Sequence, residues 1–156
     1  MTMTDPAVRM TTLAEQPHFR EAVSDRIWKA WWRDEGHALA EIDDRVGQSL
    51  GAGPIPCALI AASGERFVGT VSLIESDMDE RPQYSPWIAA LWVDPEHRRQ
   101  GIGAALVKAA ATRAFEAGIG MLYLCATPDK APFYMSLGWR QIEENVAGLN
   151  VLSLSR

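Results

Sequence analysis

Residues 97–106 of this 156-residue chain read HRRQGIGAAL, and they join a predicted strand to a predicted helix. The preceding WIAALWV, at 87–93, is apolar at every position, which is typical of a strand buried on both faces. The alanine-rich residues 102–117 predict a helix, and the apolar residues 121–126 predict another strand. The order predicts a βαβ unit, whose two strands should be parallel, adjacent and joined by a right-handed crossover.

The glycines of this stretch lie in the turn that leads into the helix. The first N–H groups of a helix lack partners and carry part of its dipole, so such a turn can bind an anion. A dinucleotide-binding motif would need a third glycine at 106, where Leu106 stands, and a P-loop would need a Gly-Lys-Ser/Thr run, which is missing. The alternative is that Gly101 and Gly103 only permit tight packing.

The rest of the chain predicts one domain over residues 1–156, because no repeat or linker divides it. Helical spacing of apolar residues includes Trp28, Trp31 and Trp32, which we expect to belong mostly to a core stripe. Residues 75–86, ESDMDERPQYSP, predict a polar loop. The other predicted strands are 7–13, 58–62, 67–74, 139–145 and 149–155, and the other predicted helices are 17–32, 37–49 and 129–137.

Composition narrows the possible partners. Fifteen basic and twenty acidic residues give a net charge of −5, which argues against nucleic acid and favours a cationic substrate. No long apolar run occurs, and the first residues, MTMTDPAVRM, do not resemble a secretory leader, so we expect a cytoplasmic protein without membrane contact. Cys57 and Cys125 lack metal-ligand spacing, so we expect no metal.

Two motifs resemble those of one family. VDPEHRRQGIGA, at 93–104, resembles the pyrophosphate-binding motif of the GNAT superfamily of N-acetyltransferases, Arg/Gln-x-x-Gly-x-Gly/Ala after a V-x-P strand end. APFYMSLGW, at 131–139, looks like the family's A-x-x-F-Y-x-x-x-G-F/Y segment. The resemblance implies an α/β (α+β) GNAT-like domain. Such a domain has a mixed central sheet of about six to seven strands, about four flanking helices and a central parallel pair of splayed strands.

The resemblance also implies a site for acetyl-CoA. Backbone N–H groups of the turn would bind its pyrophosphate, and main-chain groups of the splayed strand would bind its pantetheine arm. Thr127 stands where relatives often have an asparagine that contacts the cofactor, and Tyr134 matches the tyrosine that protonates the leaving thiolate. The cofactor-binding residues would be Leu91, Trp92, Val93, Arg98, Arg99, Gln100, Gly101, Ile102, Gly103, Ala104 and Thr127.

The general base departs from the family's pattern. Many relatives carry a glutamate on the strand equivalent to residues 87–93, but WIAALWV contains no acid. Glu75 and Asp77 are the candidates, with Glu75 preferred, and Glu80 and His37 are weaker ones; a water chain is the alternative. Transfer through a Cys125 thioester is less favoured than direct transfer, because no histidine accompanies that cysteine.

The sequence thus predicts an acetyl-CoA-dependent N-acetyltransferase. Its acceptor would be a primary amine of a small molecule or a protein, attacking directly in a ternary complex. The alternative is a non-catalytic domain that binds or senses acyl-CoA, an idea motivated by the missing strand glutamate. A homodimer is one possible assembly.

Overall fold

One mixed sheet of seven strands organises residues 7–156, which the computed structural model describes. The predicted mixed sheet is confirmed; the first six residues of the expected domain lie outside the described part. The strand order is β1-β2-β3-β4-β5-β7-β6; β4 and β5 pair in parallel, and the other neighbouring strands pair antiparallel. The strands are β1 Val8–Thr12, β2 Cys57–Ser63, β3 Arg66–Ile74, β4 Trp87–Val93, β5 Met121–Ala126, β6 Arg140–Val146 and β7 Leu149–Ser155.

Within the described residues, four α-helices cover the two faces of this sheet, in the number expected. Strand β2 shows why both faces are covered: Leu59 and Ala61 pack toward one apolar cluster, and Ala58 and Ile60 toward the other. Side chains alternate along a strand, so an all-apolar strand needs a layer on each side. Helices α1 Arg20–Ile27 and α2 Leu39–Gly47 supply one layer, and α3 Ile102–Glu116 and α4 Ala131–Ser136 supply the other.

The first predicted helix is shorter and less regular than expected. After α1 the chain continues as a π-helical segment, Trp28–Trp32, in which the hydrogen bonds span one more residue per turn. The prediction that the three tryptophans form mostly a core stripe holds for two of them: Trp28 and Trp32 are partly buried and pack against the apolar cluster of that face. Trp31, by contrast, is 40% exposed. The wider turn shifts the phase of the helix, so apolar spacing counted for an α-helix does not hold there.

The structure also corrects the environment of β4. Only Trp87 and Ile88 are buried, whereas Ala89 to Val93 are partly exposed. Two features cause this exposure. The strand pairs with β5 at one position, Trp87 with Tyr123, and it carries a bulge at Ala90, whose φ of 53° accompanies a shift in its register with β3. The strands diverge beyond that pair, which confirms the splayed central pair.

Candidate active site

A groove of about 1580 Å³ occupies the space between the diverging strands. β4 contributes Leu91, Trp92 and Val93 to its lining, and β5 contributes Leu124 and Cys125. The turn before α3, the start of α4, the loop 75–86 and the π-helical segment complete the walls. One side of the apolar strand β4 therefore lines a cleft, where the sequence predicted a packed layer.

The turn before α3 presents the helix N-terminus to this groove. Gly101 has a φ of 80°, a left-handed conformation in which a side chain is strained, and Arg99 shares it at 64°. Ala105 donates the first helical hydrogen bond, to the Gly101 carbonyl at 3.0 Å, so the N–H groups at 102–104 precede it. A Cβ added to Gly101 would meet no heavy atom within 4 Å, so the space beside this glycine is open.

Arg98 is fixed at the end of β4. Its Nε donates to the Val93 carbonyl oxygen at 2.8 Å, and its guanidinium lies 4.6 Å from the centre of the Trp92 ring. Arg99 lines the groove, while Gln100 is exposed and does not belong to the lining. His97 also lines the groove, and its Nε2 is buried without a partner among the described residues. The turn therefore gathers cationic and N–H donor groups.

The end of β4 is held from the side away from β5. The Asp94 carboxylate, 6% exposed, accepts hydrogen bonds from Trp92 Nε1 at 2.8 Å and Arg26 Nε at 2.9 Å. Gly69 of β3 lies so close that a Cβ there would be 2.7 Å from the Trp92 carbonyl oxygen. Sequence reasoning treated Asp94 only as part of a strand stop. The local sequence around Asp94 does not indicate that its carboxylate pairs with Arg26, 68 residues away.

Tyr134 of α4 lines the groove from the β5 side, half-buried. Burial, and secondarily the nearby Cys125 thiol, raises the pKa of its phenol, so the hydroxyl keeps its proton. Thr127 follows β5 and also lines the groove. Its hydroxyl donates to Asp129, and its carbonyl accepts from the N–H groups of Lys130 and Ala131, both at 3.0 Å. Thr127 therefore stabilises the turn that precedes α4; its role toward the cofactor stays a prediction.

Several acids from the loop 75–86 reach the groove, including Glu75, Asp77 and Glu80. Asp77 Oδ2 lies 3.5 Å from Cys125 Sγ and accepts its S–H. The carboxylate is accessible to solvent but surrounded by protein, and this burial raises its pKa to about 6. His37, a weaker candidate base, instead contacts Glu41 at 2.9 Å outside the groove lining.

A three-residue contact holds this loop against the β6–β7 hairpin. Arg81 Nε lies 3.0 Å from both carboxylate oxygens of Glu143, and the Tyr84 hydroxyl donates to Glu143 Oε2 at 2.6 Å. Tyr84 also stacks on Tyr123 with centroids 4.5 Å apart. Arg81 and then Tyr84 lower the pKa of Glu143 to about 2. We call this contact of Arg81, Tyr84 and Glu143 the latch. No sequence motif predicted it.

Comparison with known proteins assigns the geometry to a family. The sequence profile of the acetyltransferase (GNAT) family matches residues 10–139. The chain belongs to the GNAT family. The resemblance read from residues 93–104 and 131–139 is thereby confirmed, and so is membership in a family of acyltransferases.

Solved structures share the fold of this GNAT chain at low identity. A protein from Desulfovibrio desulfuricans assigned to the GNAT family is 15% identical, with a TM-score of 0.73 and coverage of 96% of this chain and 99% of its own. An aminoglycoside 6′-N-acetyltransferase in complex with coenzyme A is 18% identical, with a TM-score of 0.72 and coverage of 94% and 96%. The PaiA N-acetyltransferase of Thermoplasma acidophilum, also with coenzyme A, is 15% identical, with a TM-score of 0.63 and coverage of 96% and 99%.

Most predicted site residues of this GNAT chain come together, but Gln100 and the weaker candidate base His37 do not. Around the groove lie Leu91, Trp92, Val93, Arg98, Arg99, Gly101, Ile102, Gly103, Ala104, Thr127, Tyr134 and Glu75. Gln100 lies outside the lining. Within residues 7–156, no helix has the length and apolarity to cross a membrane. In the same range no group of three His, Cys, Asp or Glu side chains is arranged to hold a metal ion.

Proposed function

We propose that this GNAT protein transfers an acetyl group from acetyl-CoA to a primary amine, by direct attack within a ternary complex. The observation that carries the proposal is the groove between β4 and β5, which opens onto the N-terminus of α3. It combines an anion-binding helix start, unpaired strand edges and a protonated phenol in one cleft.

The turn before α3 suits the pyrophosphate of acetyl-CoA. The N–H groups of Ile102, Gly103 and Ala104 precede the first helical hydrogen bond, and α3 is 15 residues long, so its dipole adds to them. Arg98 and Arg99 add positive charge, and Gly101 leaves space for an anion to approach the backbone. These features together support a phosphate site better than a turn that serves packing alone.

The edge of β4 suits the pantetheine arm. Beyond Trp87 the strand has no register partner on β5, while Leu91, Trp92 and Val93 face the groove. Backbone N–H and C=O groups on such an edge need partners, and the amides of an extended pantetheine can supply them. One of these N–H groups would then polarise the thioester carbonyl. The bulge at Ala90 turns this edge toward the gap.

Tyr134 would protonate the departing thiolate. Its phenol lines the groove and its raised pKa keeps the proton in place at neutral pH, so a donor is ready when the thiolate forms. Glu75 lines the same groove and stays the base predicted from the sequence.

A cationic amine fits the charge of the acceptor side. The loop 75–86 brings Glu75, Asp77, Asp79 and Glu80 to the groove, and Glu35 and Arg45 line its helical side. The groove's other cationic side chains, Arg98, Arg99 and Lys130, lie at the turn and before α4. Oppositely charged regions in one cleft would attract an anionic donor and a cationic acceptor to different places. The acceptor class is therefore a primary amine that is an ammonium in solution, on a small molecule or a protein.

Release of free thiol from acetyl-CoA tests the proposal. We would measure it with the full chain across polyamines, aminoglycosides, amino acids and lysine-containing peptides, and expect at least one amine to raise release well above hydrolysis. Binding of acetyl-CoA without release for any amine would instead support the binding or sensing domain. The cytoplasmic location and the homodimer stay predictions, which fractionation and sedimentation would test.

A further inference from the structure

We propose that Asp77 is the general base that takes the proton from the incoming ammonium group, which rests on the acetyl transfer proposed above. Asp77 lies on the loop 75–86 and faces the groove, where its Oδ2 accepts the Cys125 S–H at 3.5 Å. Cys125 belongs to β5, so the contact places an acid of the loop across the cleft from β4. This geometry gives the chain an acid at the site although β4 has none.

The base and the acid would flank the same cysteine. Tyr134 lies close enough to Cys125 for a charge on that sulfur to raise its pKa, and Asp77 contacts the same sulfur. All three side chains line one groove. An amine that reached Asp77 would therefore stand near the atoms that Tyr134 serves.

The electrostatics of the three groups separate their roles. Burial raises the pKa of Asp77 to about 6, so the carboxylate is ionised at neutral pH yet accepts a proton far more readily than an ordinary aspartate. Burial, and then the Asp77 charge, raises the pKa of the Cys125 thiol to about 12, which keeps it a hydrogen-bond donor and not a nucleophile. Cys125 thus orients Asp77 without reacting.

Among the described residues, no other charged group around the cleft forms a hydrogen bond with Asp77. Its elevated pKa comes from burial, and Cys125 is its one hydrogen-bond partner among the described residues. The remaining titratable and charged groups of the lining are Glu75, Asp79 and Glu80 on its own loop, Glu35 and Arg45 on the helical side, and His97, Arg98, Arg99 and Lys130 on the side of the turn and α4.

The proton balance closes with these groups alone. The ammonium donates one proton to Asp77, and the neutral amine attacks the thioester carbonyl, forming the C–N bond. The C–S bond then breaks, and the thiolate takes the Tyr134 hydroxyl proton. After the attack the nitrogen carries two protons, and it loses one of them through water to the Tyr134 phenolate, which leaves the amide. Asp77 releases its proton to solvent. The sum is ammonium plus acetyl-CoA giving amide, free thiol and one proton.

The pH dependence of Asp77→Asn tests the inference. With the best amine of the panel, we expect kcat/KM at pH 7 to fall about 100-fold, while the Kd of acetyl-CoA stays within about twofold. In the unsubstituted chain, kcat/KM should fall as pH drops through about 6, and this acid limb of the profile should disappear in the variant. The activity of the variant should instead rise with the fraction of neutral amine, because only the neutral acceptor reacts. Asp44→Asn, an exposed position of α2 outside the groove lining, is the matched control, and we expect it to keep both the rate and the limb.

Three outcomes would overturn the inference, and they are distinguishable. An unchanged limb in Asp77→Asn means that Asp77 is not the base while the transferase stands. Loss of the limb in Glu75→Gln instead assigns the base to Glu75. Absence of thiol release by the unsubstituted chain removes the proposed function, and the role of Asp77 with it.

Discussion

Gly101 and Gly103 are glycines for different reasons. Gly101 has a φ of 80°, so any side chain there would strain the turn. Gly103 is helical, and a Cβ would make ordinary contacts of 3.8 and 3.9 Å with Leu91, Val93 and Phe133. A substitution at 103 can therefore test the anion site without damaging the fold, which one at 101 cannot.

Replacing Gly103 by aspartate should abolish tight acetyl-CoA binding. A carboxylate within about 4 Å of a phosphate repels it by several kcal/mol at an intermediate dielectric and by less in an open groove, so we expect at least about a tenfold rise in Kd. The melting temperature should not fall, since an acid near a helix N-terminus is favourable. Calorimetric titration measures the effect, and Gly103→Asn is the control of equal size. An aspartate variant that binds as tightly as the asparagine variant would refute the anion site.

Removing the Tyr134 hydroxyl should slow the chemistry and leave binding intact. We expect Tyr134→Phe to lower kcat about 100-fold with the Kd of acetyl-CoA unchanged, because the ring still packs while the proton donor is lost. Steady-state kinetics and a binding titration together check this. If kcat stays at its original value, the tyrosine only supports the groove.

Residue-scale prediction is most specific where a local motif exists. Gly101 and Tyr134 belong to short motifs, and both line the groove, while their roles stay predictions. The contact between Asp77 and Cys125 joins residues 48 apart, and neither residue type nor spacing encodes it. Asp77 could be named as an acid of the loop, but its partner and the protein that surrounds it come from the fold.

At the scale of elements, the latch of Arg81, Tyr84 and Glu143 fixes the loop that carries Asp77. Arg81 and Tyr84 of the loop meet Glu143 of β6, and Tyr84 stacks on Tyr123 of β5. A loop held at both a strand and a hairpin loses less order on binding an acceptor than a free loop would.

Acid should weaken this latch over a defined range. The pKa of Glu143 is lowered from 4.5 to about 2, so its contribution to stability is present above pH 4.5 and is lost as pH falls toward 2. We expect the melting temperature of the original chain to fall more steeply between pH 4.5 and 2 than that of Glu143→Gln. Glu144→Gln is the control, because within residues 7–156 the Glu144 carboxylate accepts a hydrogen bond only from the neutral Gln141 Nε2. Its melting temperature should fall with pH as steeply as that of the original chain. Equal slopes in all three proteins would contradict a stabilising latch.

The limits of the strands were easier to predict from the sequence than their exposure to solvent. β4 and β5 were predicted at their observed bounds, because proline, glycine and apolar runs mark strand limits. The exposure of β4 was not predictable, since it depends on the bulge at Ala90 and on the single pairing of Trp87 with Tyr123. Both are properties of strand register, which composition does not report.

At the scale of the whole molecule, the groove joins parts that fold together. β4, β5, α3 and α4 all line it, and each also contributes to the main apolar cluster. A ligand bound across these elements stabilises the native state as a unit, because the unfolded chain has no such site.

Coenzyme A should therefore raise the melting temperature. At 100 times its Kd a ligand adds about 2.7 kcal/mol, which for a chain of this size corresponds to about 5–10 °C. We expect this rise in the original chain and in Asp77→Asn, and a much smaller one in Gly103→Asp, by thermal-shift measurement. A full rise in Gly103→Asp would place the ligand elsewhere.

The overall architecture was predictable mainly through the family resemblance. The order of elements could be read from the chain, but it does not say that β7 lies between β5 and β6. The resemblance supplied the splayed pair and the mixed sheet. The exposure of Trp31 could not be predicted for the opposite reason: the π-helical segment at 28–32 departs from the α-helical period on which the pattern depends.

That irregular segment has an evolutionary consequence. A π-helical turn holds one more residue than an α-helical one, and here it carries Trp31 and Trp32, which line the groove. Loss of that residue would return the turn to α-helical geometry and change the direction of the side chains within 28–32. The shape of this wall of the groove can thus change through one codon gained or lost, while the turn before α3 keeps its sequence.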